Sequence, residues 1–394
     1  MDAAKRQLVV AARLLPAALA FFFVAAIAPP EAGAVPFFAR QVGRNCTYCH
    51  TLVPKLNEKG RTFLTNGYRF EAEESWKDVK DMTTLPLSLE VEAAASLYEV
   101  KTSGRETRSS NLSVEEVELF GGGALGSSGV VSAMAAVAFK EAGGAGSLYE
   151  AEVSQAFVRF NDIIGPPGAG ILNIKFGQSD IGLPFLGQRQ SLLGQVYLAE
   201  SGQRLLEEGA RLLEFNGHLS FSENNDMSIS HRYAIAVSRD DVSDDDRLKG
   251  LYASYSAAFN DDLNIGAIYR VGREKTPSGD ESYDKWGIAG EYDFGAAALT
   301  AGFFRSLRQD GTSSDNHVIE ALYMPLPKLG MAIRSDVLRE AGKKSARLAG
   351  FMIRYSVLQN GFAQLEYSAL SDRDHLSGTN EESTNISLAL AALF

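Results

Sequence analysis

Short segments of alternating apolar and polar residues recur from about Leu87 to the C-terminus of this 394-residue chain. The stretch from Leu263 to Val271 reads LNIGAIYRV, with apolar residues at every second position. The same period returns in segment after segment, and clusters of Gly, Asn, Asp and Ser separate the segments. A period of two places successive side chains on opposite faces of a β-strand. The pattern therefore predicts strands with one apolar and one polar face.

About sixteen such strands can be counted, with boundaries that single-sequence patterns define only to within a few residues. They are expected near residues 86–101, 112–124, 129–140, 148–161, 170–178, 208–218, 227–239, 247–259, 262–273, 283–293, 296–308, 316–324, 328–340, 345–358, 361–372 and 384–394. Tight turns and longer polar loops alternate between them, as at the two ends of a membrane barrel. We predict an all-β fold, an outer-membrane antiparallel β-barrel of about 16 strands spanning residues 83–394.

A soluble β-sandwich or lipocalin-like domain is the alternative fold. A soluble protein would have to bury the apolar face of all these strands against a second, stacked sheet. The even strand number and the alternation of turns and loops favour the barrel, with outer-membrane lipid as its surroundings. Phe394, an aromatic residue at the end of the last alternating segment, looks like the sorting signal of outer-membrane barrels.

Residues 46–50 read Cys-Thr-Tyr-Cys-His, and Cys46 and Cys49 are the only two cysteines of the chain. Cys-x-x-Cys-His is the attachment signature of a c-type haem. One covalently attached haem c is therefore the expected cofactor, with His50 as the proximal ligand of its iron. A redox dithiol, half of a zinc site and a disulfide are the alternatives. Zinc would need two more ligands, and the other histidines are distant in sequence.

Residues 1–34 have the features of a secretory signal peptide. Lys5 and Arg6 give a positive start, an apolar stretch follows, and residues 32–34 read Ala-Gly-Ala, which fits a cleavage site. A membrane anchor is the alternative. A charge and a proline interrupt the apolar stretch, which leaves it shorter than the roughly 20 residues that span a bilayer.

Charge is unevenly distributed along the chain. The whole chain has a net charge of −11, whereas residues 35–69 contain six basic residues and one glutamate. An acidic surface argues against nucleic acid as a partner. The basic segment and the acidic remainder are expected to attract each other.

Residues 35–82 would form a small helical domain that carries the single haem. One helix is expected from about Pro54 to Asn66, opened by the proline and closed by Gly67. So short a segment cannot bury a haem alone, so the barrel is expected to cover it. Three cations are candidates either for pairing with haem propionates or for a solvated charged face: Lys55, Lys59 and Arg61.

Two loops of the predicted barrel are unusual. The connection from Gln178 to about Glu207 is long for structureless chain. It is expected either to fold inward, constricting the pore or packing on the haem domain, or to form an outer lid. The acidic stretch 240–246 would either concentrate cations such as ferrous iron or be an ordinary solvated loop.

The distal side of the haem iron has three candidate states. Met82 is the methionine nearest to the motif in the mature sequence, and methionine ligation would raise the haem potential. A histidine or methionine of the barrel, or an open position, are the alternatives. Met82 could equally be a packing residue at the barrel entrance.

A family resemblance lies in the residues around the cysteines: Phe38-Ala39-Arg40-Gln41, Cys46-Thr47-Tyr48-Cys49-His50, Pro54, Leu56, Gly60-Arg61, Phe63 and Gly67-Tyr68. Their spacing resembles the monohaem module of fused cytochrome–porins, outer-membrane proteins of neutrophilic and acidophilic iron oxidisers. The resemblance implies one c-type haem joined to a single-chain porin of about sixteen strands. It also implies electron transfer between extracellular ferrous iron and periplasmic carriers.

The sequence therefore predicts an outer-membrane electron conduit, with the haem domain on the periplasmic side or inside the barrel lumen. Its expected partners are a periplasmic c-type cytochrome or another soluble electron carrier, and extracellular iron or another redox donor or acceptor. The first alternative is a solute porin whose haem segment is a regulatory plug. The second is a haem enzyme such as a peroxidase, which would need a distal acid–base residue.

Overall fold

The computed structural model describes residues 36–70 and 86–393, without 103–104, 126–128, 142–148, 202, 224–226, 240–247, 277–278, 344, 359 and 374–379. The predicted signal peptide, Met82, the acidic stretch 240–246 and Phe394 lie outside the described residues, as does the proposed domain boundary at residue 82.

Two short strands, β1 (His50–Leu52) and β2 (Lys55–Leu56), pair near the N-terminus of the described chain. The next sixteen strands are β3 (Leu87–Thr102), β4 (Arg105–Leu125), β5 (Val131–Glu141), β6 (Tyr149–Ile164), β7 (Leu172–Ile181), β8 (Glu207–Glu223), β9 (Met227–Arg239), β10 (Leu248–Phe259), β11 (Leu263–Thr276), β12 (Gly279–Asp293), β13 (Ala297–Arg308), β14 (Ser313–Leu326), β15 (Leu329–Glu340), β16 (Ala346–Leu358), β17 (Gly361–Arg373) and β18 (Asn380–Leu393).

The strands β3–β18 form one closed barrel. Each strand is antiparallel to its neighbours in sequence, and β18 pairs with β3, where Ala389 faces Ala94, to complete the ring. The predicted fold class, an antiparallel barrel of sixteen strands, is confirmed. Closure leaves no strand edge unpaired, which a spanning sheet requires in lipid.

Side-chain alternation gives the barrel an apolar outside and a polar inside. On β12 the outward Ile288 is 54% exposed, whereas the inward Lys285 and Glu291 are 1% and 4% exposed. The neighbouring strands repeat this arrangement, with Ile265 and Ile319 facing outward. Lipid can cover the first face, and charged groups line the second, as expected for an outer-membrane barrel.

The described residues of two predicted loops belong instead to paired strands. Residues 102–111 and 274–282 were expected to be loops, but β3 and β4 stay paired as far as Thr102 and Arg105, and β11 and β12 as far as Thr276 and Gly279. These segments are polar throughout, so they lack the apolar alternation that marks a membrane strand. Backbone pairing does not need that alternation, and the hairpins continue beyond the apolar band.

The residues that the structure describes include three short α-helices: α1 (Phe37–Val42), α2 (Glu58–Thr65) and α3 (Leu198–Ser201). The helix expected from Pro54 starts later, at Glu58, because the Asn57 side chain caps it by accepting from the Gly60 N–H at 3.0 Å. Gly67 follows its end with a positive φ of 73°, as expected for a glycine after a helix. None of the described helices is long and apolar enough to cross a membrane.

Candidate functional site in the barrel lumen

The Cys-x-x-Cys-His motif is held in a tight turn. Residues Cys46–Tyr48 form one turn of 3-10 helix, capped by the Asn45 side chain, which accepts from the Tyr48 N–H at 3.1 Å. Cys46 and Cys49 are free thiols, and both are partly exposed. Burial raises the pKa of both thiols, that of Cys49 to about 11. The raised pKa values keep both thiols neutral near pH 7.

His50 follows in β1 with one ring nitrogen already engaged. Its Nδ1 lies 3.0 Å from the carbonyl oxygen of Pro54, which can only accept, so Nδ1 is the donor. This bond directs the other nitrogen, Nε2, to a ligand, as the backbone partner of a metal-bound histidine does. Burial lowers the pKa of the His50 imidazole, although the hydrogen bond to the Pro54 carbonyl acts in the opposite direction. The lowered pKa favours the neutral imidazole, which is the form that binds iron.

Helix α2 packs closely against the motif. A side chain at Gly60 would collide with the carbonyl oxygen of Cys49, so only glycine fits there. Asn57 secures the same contact, because its N–H donates to the Cys49 carbonyl at 2.9 Å and its side-chain amide donates to the Tyr48 carbonyl at 3.1 Å. The motif and α2 therefore form one unit.

Aromatic residues fill the space behind this unit. Phe63 of α2 and Tyr68 are buried with Phe157 of β6, and Phe38 and Phe70 pack against them. The rings of Phe38 and Tyr68 stack at 4.8 Å between centroids. Together with α1 they join residues 36–70 into one segment, called here the N-terminal segment, whose small core is shared with barrel strand β6.

The N-terminal segment lies inside the barrel. Lys55 is 3% exposed, and its Nζ lies 2.7 Å from Glu291 and 3.6 Å from Glu320 on the lumen wall. Arg61 also ion-pairs with Glu291. Glu58 of α2 ion-pairs in turn with Arg232 of β9.

Three further contacts fix the segment from other directions. Arg69 is fully buried and pairs with Asp162 of β6 at 2.7 Å. Arg159 donates to the Leu64 carbonyl at 2.9 Å, and Arg354 of β16 donates to the Val53 carbonyl. Removing one partner of a buried charge pair typically costs about 3–5 kcal/mol, so the Arg69–Asp162 pair in particular favours the docked position.

The segment sits near the end of the lumen where the turns are short. Leu52 packs against Gly330, the second residue of β15, and Lys55 donates to Thr300, near the start of β13, at 3.0 Å. Both positions adjoin short turns, at 327–328 and 294–296. In outer-membrane barrels the short turns are periplasmic.

The long connection between β7 and β8 folds inward, which is one of the two arrangements expected from the sequence. Its Phe185, Leu186 and Leu205 are at most 1% exposed, inside the barrel. Gln190 accepts from the Leu56 N–H at 2.8 Å, and Leu192 shares a cluster with Leu52. The connection therefore packs on the N-terminal segment and narrows the lumen.

The structure corrects the role expected for two of the three cations. Lys55 and Arg61 were candidates for haem propionates or for a solvated face, but both are buried and paired with barrel carboxylates. Lys59 alone is exposed. The alternation of β12 predicts that Glu291 lies on the polar face of its strand. Its contact with Arg61 could not be predicted, because the two residues are 230 positions apart and no local pattern joins them.

The barrel histidines that the structure describes do not approach the motif. His231 and His317 face outward, where His231 bonds the Tyr255 hydroxyl at 2.5 Å. His218 faces the lumen beside Gly170, near Asn66, past the far end of α2 from Cys49. Cys46, Cys49 and His50 are thus held together as the sequence requires, and Met82 lies outside the described residues.

Like charges face each other on the lumen wall between β3 and β4. Glu90 is directly opposite Glu118, and Glu92 is opposite Glu116. Such pairs destabilise a sheet.

Among the described residues, no group of three or more His, Cys, Asp or Glu residues could hold a metal ion, so the zinc alternative finds no further ligands there.

Comparison with known proteins identifies the fold and no sequence family. No family model matches the chain, and no curated protein is found to be similar. An anion-selective porin from Comamonas acidovorans matches with 12% identity, over 78% of this chain and 99% of its own, at a TM-score of 0.54. The outer membrane channel DcaP of Acinetobacter baumannii matches with 11% identity, over 78% of this chain and 97% of its own, at a TM-score of 0.55.

OprB of Pseudomonas putida gives a third match, with 11% identity over 78% of this chain and 93% of its own, at a TM-score of 0.53. At these identities the likeness is one of fold. The chain has the fold of outer-membrane porins.

Proposed function

We propose that this protein is an outer-membrane electron conduit that carries one haem c inside a porin-like barrel. Cys46 and Cys49 would hold the haem covalently, and His50 would be its proximal ligand. The observation that supports this most is the position of the Cys-x-x-Cys-His motif, on a segment that buried ion pairs fix within the lumen. A redox centre there would lie between the two sides of an insulating bilayer.

The chain's own residues fit such a group. A bound haem c would supply one-electron transfer through its iron. The Pro54 carbonyl holds the His50 ring in the tautomer that presents Nε2. Gly60 lets α2 approach the motif, and the barrel covers the segment with Arg354 and with the inward connection through Gln190.

The partners follow from this arrangement. A periplasmic c-type cytochrome or another soluble carrier would exchange electrons at the short-turn end of the barrel. Extracellular iron, or another donor or acceptor, would exchange them from the opposite side. Met82 is the proposed distal ligand.

A solute porin with a regulatory plug is the second candidate, because the fold is shared with channels such as DcaP and the Comamonas porin. The docked segment and the inward connection both occupy the lumen, as a plug would. Under the porin hypothesis the segment must leave its site for solutes to pass.

The test begins with the full-length protein produced alongside a cytochrome c maturation system. We expect a haem that stays attached on denaturing gels and a pyridine haemochrome spectrum of one haem per chain. Cys46→Ala/Cys49→Ala should lose it, whereas Lys343→Ala, at the opposite end of the barrel, should keep it.

The second step uses proteoliposomes that enclose an electron acceptor. We expect external Fe(II) to reduce the haem and the internal acceptor, with little ion conductance. Absence of covalent haem, or no electron transfer in either direction, would overturn the conduit. Large conductance that persists in the double cysteine variant would establish the porin.

A further inference from the structure

Five of the six cations of the N-terminal segment fall into two groups, and the sixth, Arg40, donates to the Leu87 carbonyl of β3. Lys55, Arg61 and Arg69 are buried, and each pairs with a carboxylate. Arg44 and Lys59 are exposed, and neither pairs with a carboxylate among the residues that the structure describes. The first group explains how the segment docks in the barrel. The second group is left without a structural role.

Arg44 and Lys59 are nevertheless held in fixed positions. The Arg44 guanidinium lies 5.0 Å from the centroid of the Tyr48 ring, and the Lys59 ammonium lies 4.8 Å from it. Cation–π contacts of this kind keep two like charges close together on one aromatic ring. Tyr48 is one of the two residues between the cysteines of the motif, and it directly precedes Cys49. The paired charge therefore adjoins the proposed haem attachment site.

Lys59 lies on the side of α2 opposite Arg61, which faces the lumen wall at Glu291. The Arg61 guanidinium approaches the ring of Phe185, on the inward connection, at 5.9 Å. Lys59 precedes it by two residues on α2, which places the two side chains about 200° apart around the helix. Lys59 is therefore directed away from the connection that fills the lumen, at the short-turn end where the segment is docked.

We propose that Arg44, Tyr48 and Lys59 form the docking face for an acidic, soluble redox protein of the periplasm. This inference rests on the proposed electron-conduit function. An exposed cation pair beside the redox centre would attract and orient a partner with a complementary carboxylate patch. One electron would then pass between the two proteins, with one centre oxidised and the other reduced, and no bond would form or break.

The test uses the full-length holoprotein in nanodiscs with plastocyanin, an acidic blue-copper protein, as the probe. The ferrous protein should reduce its Cu(II) to Cu(I) at a second-order rate that falls as salt is raised. Arg44→Glu/Lys59→Glu should slow this at least about tenfold at low ionic strength, and the rates should converge at high salt. Arg44→Lys/Lys59→Arg should keep the wild-type rate.

A matched control separates this face from net charge. Lys328 is exposed in a short turn at the same end of the barrel, and Lys328→Glu should have little effect. An equal effect of Lys328→Glu, or a salt-independent rate, would overturn the docking face while leaving electron transfer intact. Basic mitochondrial cytochrome c should respond in the opposite direction, reacting faster with the reversed variant.

Binding measurements keep the two proposals distinguishable. Direct binding of plastocyanin to the nanodisc protein needs no haem, and the reversed variant should weaken it by a similar factor. If the variant loses binding to phosphatidylglycerol vesicles instead and binds plastocyanin normally, the face belongs to lipid and the proposal is wrong. Missing haem with normal plastocyanin binding would contradict only the conduit.

Discussion

Replacing Lys55 by Met should loosen the N-terminal segment within the lumen. The Lys55 ammonium is 3% exposed, lies 2.7 Å from Glu291 and 3.6 Å from Glu320, and donates to Thr300 at 3.0 Å. Met keeps an unbranched apolar side chain of similar length but removes the charge. Glu320 then loses its cation, whereas Glu291 keeps Arg61.

The magnitude follows from that residual pairing. Removing one partner of a buried ion pair costs about 3–5 kcal/mol. Since Glu291 retains one cation, we expect a loss near the lower limit, about 3 kcal/mol of docking free energy. A change of about 1.4 kcal/mol is a factor of ten, so the undocked population should rise on the order of 100-fold.

Hydrogen exchange of the protein in nanodiscs measures this population. Peptides that cover residues 50–57 should lose protection by a similar factor, because exchange there reports local opening. Ion conductance across planar bilayers should rise in parallel. Lys343→Met breaks an ion pair of 2.9 Å with Glu340 at the opposite end, where Lys343 is 42% exposed, and should leave both readouts unchanged.

A double variant shows whether the charge is the cause. Lys55→Met/Glu320→Gln removes the uncompensated carboxylate and should recover part of the lost protection. Unchanged protection in Lys55→Met would refute the view that buried ion pairs hold the segment. Equal loss in the single and double variants would assign the effect to packing instead.

Three further outcomes are expected. Met82→Ala should change the visible spectrum and lower the potential of the haem, because methionine ligation raises the potential. Glu92→Gln removes a like-charge pair with Glu116 and should stabilise the barrel to urea by roughly 0.2–1 kcal/mol. Burial, with the neighbouring Glu208, raises the pKa of Glu200 to about 8. The inward connection should therefore lose stability as pH rises from about 4.5, the ordinary value, to about 8. Its proteolysis should be faster at pH 8.5 than at pH 5.

Each of these has a contradicting result. An unchanged spectrum and potential in Met82→Ala would remove Met82 as a ligand. Destabilisation in Glu92→Gln would mean that the carboxylate has a favourable partner in the lumen. The same pH dependence of proteolysis in Glu200→Gln as in the wild type would assign the pH effect to another group.

The barrel could be predicted from sequence because its signal is local and repeated. Each strand, such as that around Ile265 or Ile288, shows which face meets lipid through its own alternation. The ends of the hairpins were less predictable, since a polar strand beyond the membrane has the composition of a loop. Backbone hydrogen bonds extend β3 to Thr102 without any help from apolar side chains.

The candidate site was predictable only in its local part. Cys46, Cys49 and His50 lie within five consecutive residues, and their spacing alone predicts a haem attachment site. The role of Lys55 was not predictable, because Thr300, its hydrogen-bond partner, is 245 residues away. The start of α2 was also hard to predict, because both Pro54 and Asn57 are residues that commonly begin a helix. In the structure Asn57 caps the helix, and the two residues between Pro54 and Asn57 form β2.

The distribution of these contacts has a consequence for how the protein is assembled. The Phe37 N–H donates to Ser88 on the first barrel strand, at 2.7 Å, whereas Arg354 belongs to one of the last strands. The segment is therefore attached to both sides of the seam where β18 meets β3. Its complete set of partners exists only once that seam has closed, so the segment can finish docking only after the last strand has joined the first.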